Sequence, residues 1–148
     1  MSLDDIKQGK TSNAVLKWTH FLSAVDSLKN KDEYRHYKLA ALCDIANNNG
    51  APRYYVSARS VLDIYCTWKK TKVLPVMSES LKRMYLEIFD KYEKLIAGKK
   101  MHGYTLEYMD MILAQPASSF FVDNTIKFYY RAYTYRRKLI RRRQCLRS

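Results

Sequence analysis

Apolar side chains recur at intervals of three or four residues along most of this chain, and that spacing marks one face of an α-helix. The first such segment starts at Ser12, with Val15, Trp18, Phe21, Leu22, Val25 and Leu28 on its inner face. A second segment, capped by Asp32, ends at Asn-Asn-Asn-Gly in the range 47–50, residues that tolerate a left-handed turn. Its inward residues are Tyr34, Tyr37, Ala41, Leu42 and Ile45.

Four more helices follow from capping and breaking residues. Ser57 and Ser78 are good N-caps for a third and a fourth helix, and Pro75 lies in the break between them. Gly98 closes the fourth, and a short fifth helix starts at Thr105 and stops at Pro116. Ser118 or Ser119 opens the last one, which is the longest.

Strand-like alternation is sustained nowhere along the chain. We therefore predict an all-α fold, a compact bundle of five or six helices with a long, basic, amphipathic C-terminal helix. The length of 148 residues fits one domain. Within it we expect a helical body over residues 1–118 and the long helix over 119–148, with its distal end projecting.

Positive charge changes this picture, because it is concentrated at the C-terminal end. The chain carries a formal net charge of +13, and nine of its 27 Lys and Arg residues but none of its 14 acidic residues lie at or after Lys127. Arginine predominates there, and its planar guanidinium suits paired contacts to phosphate or carboxylate. The segment therefore predicts a polyanionic or acidic partner.

Steps of 100° per residue divide the last helix into apolar and basic faces. One apolar stripe holds Val122, Ile126, Tyr129, Tyr133 and Ile140, and a second holds Phe121, Phe128, Ala132, Tyr135 and Leu139. The opposite face is basic, and Arg136 and Arg143 fall between the two apolar stripes. We expect anion, nucleic-acid or acidic-partner binding at Lys127, Arg131, Arg136, Arg137, Lys138, Arg141, Arg142 and Arg143.

Tyrosine is over-represented, with 13 residues against five phenylalanines. An aromatic ring with a polar tip suits a surface that is buried against a partner, although it equally suits the rim of a small core. The candidate interface aromatics are Tyr54, Tyr55, Tyr129, Tyr130, Tyr133 and Tyr135.

Catalytic and metal-binding patterns are missing from the sequence. The three histidines have no partners at metal-ligand spacing, and no phosphate-binding or dinucleotide-binding glycine motif occurs. Cys43, Cys66 and Cys145 form no C-x-x-C pair and are expected to be reduced thiols. We expect no enzyme activity, no catalytic residue, no cofactor and no metal site.

The N-terminal residues contain no basic and apolar leader, and no apolar run approaches 18 residues. We therefore expect neither a signal peptide nor a transmembrane segment.

Three functional hypotheses fit these features. The first is a non-enzymatic assembly protein that contacts other subunits, in a homo- or hetero-oligomer, through tyrosine-rich surfaces and the basic helix. The second is a small nucleic-acid-binding protein that grips phosphates without strong sequence preference. A peripheral membrane helix is a third and less favoured hypothesis.

The run Pro52-Arg53-Tyr54-Tyr55-Val56-Ser57, placed before a helix, resembles segments in small helical virion proteins of crAss-like tailed phages of Bacteroidetes. The resemblance covers six to 17 residues of the chain. It implies a virion component of the head-to-tail connector type, found in the virion or the host cytoplasm. It assigns no functional residue, and Arg53, Tyr54 and Tyr55 are equally interpretable as interface residues or as buried loop anchors.

Overall fold

The computed structural model describes residues 12–97 and 105–147, which contain six α-helices. These are α1 (Ser12–Lys29), α2 (Leu39–Asn48), α3 (Ala58–Thr71), α4 (Glu79–Ile96), α5 (Thr105–Leu113) and α6 (Thr125–Arg147). A 3-10 helix spans Asp32–Tyr34. Within the two described ranges there is no β-strand, and one isolated bridge pairs Ala51 with Ala117. The all-α prediction is confirmed.

The described residues form two compact units. The first combines those within Met1–Gly50 and Asn124–Ser148, so that α1, α2 and α6 pack against one another. The second lies within Ala51–Asp123 and contains α3, α4 and α5. The long C-terminal helix therefore belongs to the same unit as α1, whereas the predicted boundary at residue 118 falls inside the second unit.

The core of the first unit is built from the inner faces of its three helices. Phe21 and Val25 of α1, Cys43 of α2 and Ala132 of α6 are all completely buried. The remaining apolar positions predicted for α1 are buried too, except Trp18, which is half-buried. The 3–4 spacing thus identified the inward face of α1 correctly.

Helix α2 begins six residues later than predicted. Asp32 starts a single 3-10 turn instead of capping an α-helix, and α2 begins only at Leu39. Between residues 31 and 38 every side chain except Tyr34 is exposed, so this stretch has no apolar face to bury, and packing supplies most helix stability in proteins. Tyr34 meets Tyr37 edge to face at 5.1 Å instead of both rings entering the core.

The caps predicted for the second unit are confirmed. The Ser57 and Ser78 side chains each accept a hydrogen bond from a backbone N–H three residues later, both at 3.3 Å. Tyr65 of α3 then packs edge to face on Phe89 and Tyr92 of α4, at 5.2 and 5.1 Å. Gly98, the predicted end of α4, lies outside the described residues.

The segment before α6 is irregular and not helical, which corrects the prediction that Ser118 or Ser119 opens the last helix. Ser118 N donates to the Glu87 carboxylate at 3.3 Å, and Phe121 N donates to Ser119 Oγ at 2.9 Å. Phe120 and Phe121 are buried, and Phe121 has a φ of 56°, outside the α-helical region. Burial of these two rings holds the segment out of the helix.

Candidate docking surface on the C-terminal helix

Helix α6 begins where Asn124 caps it. The side chain of Asn124 accepts a hydrogen bond from Lys127 N at 3.1 Å, and its carbonyl oxygen accepts one from Phe128 N at 3.0 Å. Asparagine is among the best N-cap residues. Next to it, the buried hydroxyl of Thr125 donates to Asp44 Oδ1 of α2 at 2.5 Å. The first turn of α6 is therefore attached to α2 by a polar bond as well as by packing.

Aromatic pairs attach α6 to α1. Phe128 meets Phe21 edge to face, with ring centroids 5.1 Å apart, and Tyr135 meets Trp18 at 5.0 Å. Between these pairs Ala132 is completely buried, which lets the two helices approach closely. These contacts orient the rest of the α6 surface outward.

Only one of the two predicted apolar stripes faces the core of the first unit at all of its positions within α6. Phe128, Ala132, Tyr135 and Leu139 are all buried or half-buried. In the other stripe Tyr129 is buried, whereas Tyr133 and Ile140 are 37% and 48% exposed. The reason is geometric, since α1 and α2 cover a single sector of α6 around Ala132. Two members predicted at the N-terminal end, Phe121 and Val122, precede the helix.

The basic residues of α6 are nearly all exposed. Arg136 is the exception: it is half-buried, and its Nη1 lies 3.3 Å from Asp26 Oδ2 of α1, as its place between the two apolar stripes would allow. Among the described residues, the other seven basic residues predicted to bind an anion form no ion pair. They are Lys127, Arg131, Arg137, Lys138, Arg141, Arg142 and Arg143.

The four candidate aromatics of α6 divide into anchors and exposed rings. Tyr129 is buried and its hydroxyl accepts a hydrogen bond from Lys29 at 3.1 Å, and Tyr135 is half-buried against Trp18. Tyr130 is 56% exposed and Tyr133 is 37% exposed. Tyr129 is therefore a core residue, and the exposed rings are those of Tyr130 and Tyr133.

The other two candidate aromatics are loop anchors of the second unit. Tyr54 is 1% exposed and donates to the Glu87 carboxylate at 2.5 Å, and its ring stacks on Phe121. Tyr55 stacks on Phe120, with the ring planes 8° apart. Tyr54 is thus buried within its own unit instead of lying on an open interface.

An open groove of about 700 Å³ extends from the contact between Trp18 and Tyr135, at the edge of α1, onto the outer face of α6. Trp18 and Tyr135 line it, together with Ile126 and the exposed ring of Tyr130. At 100° per residue, the basic side chains of the groove lie between Tyr130 and Tyr135. Those basic residues are Lys127, Arg131 and Lys138, and the short side chain of Thr134 lies between them.

A small hollow of about 100 Å³ continues the groove toward the C-terminal end of α6. It is lined by Thr134, Arg137, Lys138 and Arg141. Thr134 and Lys138 belong to both concavities, so the two form a continuous surface of cationic and aromatic groups. This surface provides charge complementarity to an anion and apolar contact area.

Comparison with known proteins gives no further assignment. No protein-family model, curated protein or solved structure matches this chain significantly. Within the described ranges, no group of three or more His, Cys, Asp or Glu residues is placed to hold a metal ion. None of the helices described combines the length and the apolar composition that crossing a membrane requires.

Two residues of this surface were not singled out from the sequence. Trp18 was placed on the inner face of α1, and its position at the edge of the groove depends on where α6 packs. Thr134 is a short residue surrounded by long ones on the basic face. This contrast in size is the feature of the sequence that could have indicated a concavity at this position. The concavity around Thr134 exists because its neighbours project beyond it.

Proposed function

We propose that this chain is a non-enzymatic assembly protein whose helix α6 docks on an acidic surface of a neighbouring subunit. The observation that carries the proposal is the set of seven exposed α6 cations that form no ion pair with any described residue. Like charges four residues apart, as at Lys127 and Arg131, destabilise a helix, and a partner that neutralises them removes this cost. An acidic partner is the simplest source of the missing counter-charges.

The arrangement of α6 supports docking as a rigid element. Its inner side is held by Phe128, Ala132 and Tyr135 against α1, so the outer side is presented without a folding step on binding. Preorganisation of this kind reduces the entropy lost on association. A virion or head-to-tail connector is the assembly implied by the resemblance of the segment 52–57, and it forms part of this proposal.

Binding to acidic homopolymers tests the charge requirement. The full chain is titrated with fluorescent polyglutamate at about 50 mM salt and then at increasing salt, where a charge-driven affinity falls steadily. Replacing Arg137, Arg141 and Arg142 by Ala should lower the affinity about tenfold or more, since several neighbouring contacts are lost together.

The matched control replaces three exposed cations elsewhere in the chain, Arg35, Arg59 and Lys70, by Ala. Its net charge equals that of the α6 variant, so a shared loss of affinity would indicate unspecific attraction to the whole chain. Absence of polyglutamate binding at low salt would refute the docking proposal.

Nucleic acid is the second candidate partner, favoured by the exposed tyrosines that alternate with arginines on α6. Arg137 lies over the ring of Tyr133, 5.9 Å from its centroid, and rings of this kind stack with bases in single-strand-binding proteins. The test is a deoxythymidine strand of about 20 nucleotides in the same titration. Tighter binding than polyglutamate at equal charge, with a salt slope of about −0.7 per phosphate contact, would establish this alternative.

A further inference from the structure

The hollow near the C-terminal end of α6 has the residue pattern of a helix-docking hole. Its four lining residues, Thr134, Arg137, Lys138 and Arg141, stand at positions i, i+3, i+4 and i+7. In coiled coils four residues so spaced form the hole that receives one side chain of the facing helix. The hollow therefore has the size and spacing for a single inserted side chain.

The residues that line the larger groove include two more sets with the same spacing, each of which can form a hole. One comprises residues 127, 130, 131 and 134, and the next comprises 131, 134, 135 and 138. Thr134 is a member of all three, and its short side chain keeps them open. Because the holes follow one another along α6, a second helix lying alongside can place one side chain in each.

The chemistry of the holes defines the facing helix. Tyr130 and Tyr135 supply apolar contact area in the two holes of the larger groove, with Trp18 at the edge, so the side chains inserted there should be apolar. The third hole is polar and cationic, so it suits a carboxylate. Lys127, Arg131, Lys138 and Arg141 line the holes at intervals of four, seven and three residues. A second α-helix has the same rise of about 1.5 Å per residue, so carboxylates at matching intervals can face these cations.

We propose that the outer face of α6 binds an amphipathic acidic α-helix of another protein, with apolar side chains in the two holes that contain a tyrosine and carboxylates against the cations, including those of the hollow at its C-terminal end. This inference rests on the proposed function and identifies the partner surface as helical. The resulting contact is a two-helix seam in which Thr134 and the cations of α6 lie along the centre and the two tyrosines lie at its sides.

A second copy of this chain is a poor occupant for the groove. Each chain carries a formal charge of +13, and the α6 of a second copy would bring the same seven exposed cations to the interface. Like-charge juxtaposition at an interface is unfavourable. A single nucleic-acid strand also fits less well, because it needs successive open rings and Tyr130 is the one largely exposed ring among the described residues of this groove.

Two synthetic helical peptides of identical composition test the proposal against the full chain. The first has leucines at the two positions that face the tyrosine-containing holes and glutamates around them and opposite the hollow. The second has its glutamates moved to the face opposite the leucines. Fluorescence anisotropy measures both affinities. The first peptide should bind at least about tenfold more tightly than the second, because it alone can fill the holes and place carboxylates against the α6 cations at the same time.

A blocking variant separates the holes from the charge. Thr134→Trp fills all three holes, leaves every charge unchanged and alters an exposed helix position that tolerates substitution. It should weaken binding of the first peptide about tenfold or more while changing polyglutamate affinity by less than about twofold. The matched control is Gln144→Trp, which adds the same ring at an exposed position outside the groove.

A charge exchange tests the register of the two helices. Arg131→Glu should weaken binding of the first peptide several-fold, and a peptide with Arg in place of the facing glutamate should restore most of the loss. Equal affinity for the two original peptides, or an unchanged affinity in Thr134→Trp, would overturn the helical partner. If polyglutamate still binds in that case, the proposed docking function survives; if neither probe binds, both proposals fail.

Discussion

Arg136 of α6 and Asp26 of α1 form an ion pair across 110 positions of sequence, with 3.3 Å between Nη1 and Oδ2. The pair joins two segments separated by the whole second unit. It also explains why Arg136 differs from the other basic residues of its helix, since part of its charge is already neutralised within the chain.

Asp26→Asn should lower the free energy of unfolding by only about 0.2–1 kcal/mol, because both partners are nearly half exposed and water screens their attraction. Urea denaturation followed by circular dichroism measures the change. A double-mutant cycle with Arg136→Ala isolates the pairwise term. A coupling above about 2 kcal/mol would contradict the description of this pair as solvent-screened.

Acid should weaken the second unit through Glu87. Burial alone would raise the pKa of this carboxyl, but hydrogen bonds from Ser118 and Tyr54 and the nearby charge of Lys91 lower the pKa below its ordinary value. A lowered pKa in the folded state means that the stabilisation is complete above the unfolded pKa and is lost as pH falls through the folded pKa.

Glu87→Gln should therefore destabilise the chain by about 1–3 kcal/mol near neutral pH and by less in acid. Urea midpoints at both ends of the range provide the measurement. Glu107→Gln, an exposed position on α5, is the control. A loss of the same size at all pH values would show that the charged form of Glu87 contributes nothing.

The three thiols should differ widely in reactivity. Cys43 is fully buried, and burial, with the neighbouring charge of Asp44, raises its pKa to about 11, whereas Cys66 and Cys145 are exposed. Since the thiolate is the reactive form, iodoacetamide at mildly alkaline pH should label the two exposed cysteines first. Mass spectrometry of the native chain reads the sites, and rapid labelling of Cys43 would refute its burial in the first unit.

Close contact between α1 and α6 depends on a small residue at position 132. Ala132→Leu should destabilise the chain by about 1–3 kcal/mol, because added carbon atoms have no space at a fully buried position. Ala40→Leu, at an exposed position of α2, is the matched control and should change stability by less than about 0.5 kcal/mol. Thermal and urea unfolding distinguish the two variants. Equal stability would indicate a loosely packed helix pair.

Local signals predicted most of the helices correctly. The caps Ser57 and Ser78 and the apolar spacing of α1 act within a few residues, so they can be interpreted from sequence alone. The two wrong helix starts, at Asp32 and at Ser118 or Ser119, share a different cause. In each case tertiary packing decided the conformation. Residues 31–38 have no apolar face that could pack as a helix, and Phe120 and Phe121 are buried in a conformation that is not helical.

The candidate surface was predictable in its charge but only partly in its shape. Wheel geometry placed Lys127, Arg131 and Lys138 on an outward face, and it placed Arg136 apart from them. It did not determine that Tyr129 is buried while Tyr133 is exposed, because that depends on the sector covered by α1 and α2. The groove itself needs Trp18, more than 100 residues away in sequence.

The two tryptophans of the chain are divided between the two units, Trp18 in the first and Trp68 in the second. Each unit thus contains its own intrinsic fluorophore. Trp18 lies beside the groove, so its emission is a label-free reporter of occupancy there, while Trp68, with Lys72 at 4.1 Å over its ring, reports on the second unit. Single-tryptophan variants would therefore separate ligand-induced signals from unfolding. They would also show whether the second unit, which is inserted in sequence between two parts of the first, unfolds at the same temperature as the first.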